Sequence, residues 1–124
     1  MADEWSPEHS VAALLVGMSM IDGEVASDEM KALIEVLHGF PGIRSSEAAH
    51  VGQAAYRHMW QIQEDGAGVV DTLRRLAAEV GLHYEPAILE SIHERLHDMA
   101  MADGQVHPME ARMLSAFRLT WDLD

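Results

Sequence analysis

Four carboxylates recur at one spacing. Asp22-Gly23-Glu24-Val25-Ala26-Ser27-Asp28-Glu29 aligns with Asp103-Gly104-Gln105-Val106-His107-Pro108-Met109-Glu110 at a constant offset of 81 residues. Oxygen-only ligation by Asp22, Glu29, Asp103 and Glu110 suits a hard divalent cation such as calcium, magnesium or manganese. The spacing matches the second half of an EF-hand loop, but the first and third loop positions would be Met18 and Met20 in one copy and Met99 and Met101 in the other. Thioethers cannot replace those carboxylates, so a standard EF-hand is excluded. The same residues also read as folding signals. An Asp-Gly pair makes an Asx-type turn, and a glutamate at the third helical position reaches back to a free backbone N–H. Against that reading, Asp22 and Asp103 both follow helices whose C-terminal dipole repels them, and a carboxylate turned toward a core needs N–H donors or a cation. Both readings stand at this level.

A second constellation is His93-Glu94-Arg95-Leu96-His97, which matches H-E-x-x-H. In zinc proteases the two histidines, one helical turn apart, bind the metal and the glutamate activates water. Asp103 even stands six residues after His97, where one zincin group places its third ligand, but the glycine that turns the chain back is replaced by Ala100. The alternative metal reading is therefore a zinc site of Glu90, His93 and His97, with zinc hydrolysis as its stronger form. His38, His50, His58 and His83 show no ligand spacing.

Helices must position these groups, because apolar residues recur at helical spacing and no stretch alternates like a strand. Ser6-Pro7-Glu8 is a serine cap with proline at the first helical position, opening a helix to about Ile21 with Val11, Leu14, Leu15, Met18 and Ile21 on one face. A second helix spans about Ser27 to His38 and ends at Gly39, Pro41 and Gly42; a third spans about Ser45 to Gln63. A fourth, Val69 to Val80, is expected to close on Gly81. The fifth starts near Pro86 with Ile88, Leu89, Ile92, Leu96 and Met99 inward, and the sixth runs from Pro108 to about Trp121. The nine methionines read as pliable core filler, and Trp5, Trp60 and Trp121 as packing residues.

The duplication extends beyond the acids. Leu15, Met18 and Met20 pair with Leu96, Met99 and Met101, and Lys31 and Leu33 pair with Arg112 and Leu114. Two related helix hairpins, about 11–38 and 88–119, account for this. A helix ending in a small-apolar stretch, then Asp-Gly-x-Val, then a helix start with Glu, present twice, resembles the TerB-like domains of the tellurite resistance protein family. The resemblance runs from about Val11 to Trp121. It implies an all-α fold, a bacterial stress-response setting that includes tellurite resistance, and a metal-binding or scaffolding role without catalysis.

The composition fits one compact, single-domain helical bundle over residues 1–124: nearly half the residues are apolar, enough for one core. The net charge of −13, from 21 acids against 8 bases, repels phosphate backbones, so neither nucleic acid nor an anionic membrane is expected as a partner. The acidic start and the short apolar run Val11–Met18 argue against a signal peptide and membrane insertion, and the absence of cysteine permits a reducing compartment. Three functional readings follow. The first is a non-enzymatic, cytoplasmic TerB-like module that holds a divalent cation and scaffolds a protein partner. The second is the zinc protein or zinc hydrolase. The third is a plain helical adaptor whose repeated acids are only caps and turns.

Overall fold

No polar side chain interrupts the sequence between Ser10 and Ser19. A helix that is apolar on every side has to be enclosed by others. In the computed structural model, which describes residues 5–21, 30–65, 68–101 and 108–123, that is the fate of helix α1 (Pro7–Ile21). Val11, Ala12, Ala13, Leu14, Leu15 and Val16 are all buried, and α1 packs against α3 (Ala48–Glu64), α4 (Val69–His83), α5 (Pro86–Ala100) and α6 (Pro108–Thr120). Helix α2 (Met30–Leu37) packs on α3. The described residues contain six α-helices, one 3-10 turn at Ser45–Glu47 and no strand, so the fold is all-α as expected.

Three helices begin with proline as read from the sequence: Pro7, Pro86 and Pro108. At Pro7 the cap is reciprocal. The His9 N–H donates to Ser6 Oγ at 3.4 Å, and the Ser6 N–H donates to His9 Nδ1 at 3.1 Å. A histidine thus takes the third-position role that a capping box gives to glutamate.

The segment between α2 and α3 turns on Gly39 (φ 81°) and Gly42 (φ 85°), backbone that favours glycine. It is pinned from three sides. Glu8 on α1 accepts from the Arg44 backbone N–H at 2.8 Å, from Nε at 3.1 Å and from Nη2 at 3.0 Å. This Arg44 fork holds the Glu8 carboxyl below the usual carboxylate range. The Tyr84 hydroxyl donates to the Gly42 carbonyl at 2.8 Å, and burial pushes that phenol up to about 12. Arg95 on α5 donates to the Gly39 carbonyl at 3.3 Å and lies 5.9 Å above the Phe40 ring.

Two expectations are corrected here. Gly81 does not end α4, which continues to His83. A side chain at 81 would meet Trp121, since a Cβ there would lie 2.9 Å from Trp121 Cδ1; the glycine serves close approach. On α5 the inward face is turned from the one expected: His93 and Ala100 are buried with Leu89, Ile92 and Leu96, whereas Met99 is exposed and Ile88 only partly covered. The two repeat copies therefore occupy different environments. Met18 and Met20 are buried, but their counterparts Met99 and Met101 are exposed, because α1 is central and α5 peripheral.

Candidate functional site

Of the four repeated acids, Asp22, Glu29 and Asp103 lie outside the described residues, and so do both Asp-Gly turns. Glu110 is described. It is the third residue of α6 and is only 5% exposed, one of the few charged side chains withdrawn from water. Its place in the first turn sets it at the positive end of the α6 dipole, where a carboxylate is favoured.

The two histidines of H-E-x-x-H lie on α5, one turn apart, and border α6, whereas Glu94 is not part of that lining. His93 is buried and its Nε2 stands 3.0 Å from the Leu114 carbonyl, an acceptor, so this nitrogen carries the proton and donates. His97 and Glu94 are exposed. Glu90, on the same stripe, is directed to Arg118 of α6, Oε2 to Nη1 at 3.6 Å. The structure thus engages Glu90 and His93 with α6 and does not gather Glu90, His93 and His97 into a ligand set; among the described residues no three His, Asp or Glu side chains stand where they could hold a metal ion.

Burial lowers the His93 pKa below its ordinary value, opposed by the Leu114 hydrogen bond and assisted by nearby Arg118 and His97. The unfolded chain then binds the proton more readily than the folded one. The stability contributed by the neutral ring is complete above about pH 6.5 and is lost as the pH falls through the depressed folded-state value. Urea midpoints should therefore fall between pH 7 and pH 5. His93→Gln, which keeps an N–H donor for Leu114, should make that fall shallower, and an unchanged slope would remove His93 from the account.

Histidines without recognisable spacing meet elsewhere. Trp5 donates from Nε1 to Ser10 Oγ at 2.7 Å, with its ring 5.1 Å from His9 and 4.6 Å from His58, and His9 meets His50 edge-on at 5.5 Å. This is ring packing at the α1–α3 contact. It brings residues at the start of α1 together with two from α3, which spacing along one helix could not show.

What the sequence did not reveal is a groove between α5 and α6. It is lined by His93 and His97 from α5 and by Ala111, Leu114, Ser115 and Arg118 from α6, with a volume of about 270 Å³. No helix among the described residues is long and apolar enough to cross a membrane. A family model described as Tellurite resistance protein TerB matches residues 8–120. No curated protein matches the chain, and no solved structure matches it.

Proposed function

Because the chain belongs to the TerB family of tellurite resistance proteins, we propose that it is a non-enzymatic stress-response module of that family, cytoplasmic, which holds a divalent cation through Asp22, Glu29, Asp103 and Glu110 and scaffolds a protein partner. The family match over nearly the whole chain carries the stress-response part. The repeated motif supports the cation part, because it supplies four oxygen donors at matching positions, one of which, Glu110, is buried in the first turn of α6. All four candidate ligands are oxygen donors, so calcium, magnesium and manganese fit better than zinc.

Thermal melting with each of these ions against chelator tests the reading, for the wild type and for the Asp22→Asn/Asp103→Asn variant. A bound cation should raise the wild-type Tm in a concentration-dependent way, by about 2.7 kcal/mol of stability at a hundredfold excess over Kd. The double variant should lose most of that rise. Asparagine still accepts a backbone N–H, so carboxylates that only cap helices would leave all melts alike. Wild-type melts indifferent to every ion would remove the cation and leave the repeated acids as turn and cap residues. A rise kept by the double variant would move the site to other side chains.

A further inference from the structure

The α5–α6 groove gathers an arginine and hydrogen-bonding side chains in a strongly acidic protein. The chain carries 21 acids and only 8 Lys and Arg, yet Arg118, His97 and the Ser115 hydroxyl open onto one depression. On α6 the residues Ala111, Ser115 and Arg118 fall on one stripe with Leu114 beside it, and on α5 His93 and His97 form the facing stripe. The floor is carbon and the rim is polar.

We propose that this groove binds a small organic carboxylate, its apolar body against Ala111 and Leu114 and its carboxylate at Arg118, His97 and Ser115. The proposal is independent of the cation reading, which concerns other residues.

Three observations specify the occupant. The first is size: about 270 Å³ lies just under the about 300–1,000 Å³ of sites for drug-sized ligands, so it suits a small organic molecule better than a bare inorganic ion. The second is charge. The Arg118 guanidinium is anchored through Nη2, which donates to the Leu123 carbonyl, while its Nη1 meets Glu90 at 3.6 Å. That separation exceeds the about 2.7–2.9 Å of a charge-assisted hydrogen bond, and Glu90 is half-exposed, so a ligand carboxylate can share the guanidinium or displace Glu90 from it. The third is the wall. His93 donates from Nε2 to the Leu114 carbonyl, which fixes its ring as a flat side of the groove and leaves recognition of the anion to His97, Ser115 and Arg118.

The test is a titration of ¹⁵N-labelled full-length protein with benzoate, benzamide and inorganic phosphate, followed by amide shifts. Benzoate should move resonances at 93–97 and 111–118 and saturate with a Kd of about 1 mM, as a fragment-sized ligand does. Benzamide, equal in shape but uncharged, and phosphate, charged but without an apolar body, should each bind at least about tenfold more weakly. Arg118→Gln should weaken benzoate by about tenfold or more. Because Arg118 also holds the C-terminal turn, Ala111→Leu gives a second arm: it fills the groove from an exposed position and should abolish binding while leaving the melting curve intact. Equal binding of benzamide would make the groove merely apolar, and equal binding of phosphate would make it a nonselective anion patch. Either result overturns the proposal, as would undiminished benzoate binding in Ala111→Leu or no saturable benzoate shifts at all.

Discussion

Replacing Trp121 by alanine should destabilise the protein by about 3–5 kcal/mol. Few residues tie as many parts of the bundle together. Trp121 is 4% exposed, stacks on Phe117 with ring centroids 5.5 Å apart, and donates from Nε1 to the Ala77 carbonyl of α4 at 2.7 Å. Its indole lies where Gly81 leaves room. It also precedes the C-terminal turn, in which the Leu123 N–H donates to the Arg118 carbonyl at 3.0 Å and the Asp122 N–H to the Leu119 carbonyl at 3.2 Å, with Asp122 at φ 55°. That pair of bonds is a Schellman motif, and it brings Leu123 into the core. Losing the indole opens a cavity beneath the turn and loosens α6 from α4. Since domains of this size are stable by about 5–15 kcal/mol in total, urea denaturation should show a large fall in midpoint. Trp121→Phe, which keeps an aromatic ring on the stack but loses the N–H and part of the indole volume, should cost less, because the Ala77 carbonyl retains its helical partner; the lost bond contributes about 1 kcal/mol of that cost. A loss below about 1 kcal/mol for Trp121→Ala would show that the α4–α6 contact is not held by this residue.

The fold was legible where local chemistry decides it. Proline at the first helical position marked Pro7, Pro86 and Pro108, and glycines at positive φ marked the end of α2. Gly81 was misread for a physical reason: glycine signals a helix stop through its own backbone freedom, but here it answers to an indole forty residues later in the chain, a contact no local window contains. Helix α1 is the converse case. Reading one apolar face from Val11 to Ile21 overlooked that the opposite face, Ala12, Ala13 and Val16, is equally apolar and equally buried. The missing polar side was the signal for a central helix. That difference also explains why the repeat predicts sequence better than environment. Gly17 and Ala13, deep in the bundle, align with Asp98 and Glu94, which face solvent.

The sites divide in the same way. Glu110 stood out in the sequence because its first-turn chemistry is local, and the structure describes it as buried. H-E-x-x-H showed that His93 and His97 share a helix face, but not that the Leu114 carbonyl twenty-one residues away takes one ring nitrogen. Nothing in the local sequence around Ser115 and Arg118 suggests a ligand. They become a site only when α6 is laid beside α5.

Gly17→Val should be as damaging as the loss of Trp121, for the opposite reason. Gly17 lies where α1 crosses α4 and α3, and a Cβ there would overlap Leu73 Cδ2 and come within 3.1 Å of Met59 Cε. The atoms struck are the flexible ends of Leu73 and Met59, but both side chains are fully buried, so they can give way only by repacking against their neighbours. In an exposed helix, Gly→Ala would gain about 1 kcal/mol from propensity. At this crossing overpacking, about 1–3 kcal/mol and occasionally more, opposes that gain. Alanine should therefore be destabilising, and valine, with two further methyl groups and a stiff χ1, should cost about 3 kcal/mol or more and lower Tm by about 10 °C. The cause can be separated from a general helix effect by pairing Gly17→Val with Leu73→Ala. If Leu73 is what the new side chain strikes, the double variant should be less destabilised than the sum of the two single variants by about 1 kcal/mol or more. Additive losses, or a Gly17→Ala protein that melts above the wild type, would show that α1 and α4 are not as closely apposed at this glycine as the structure has them.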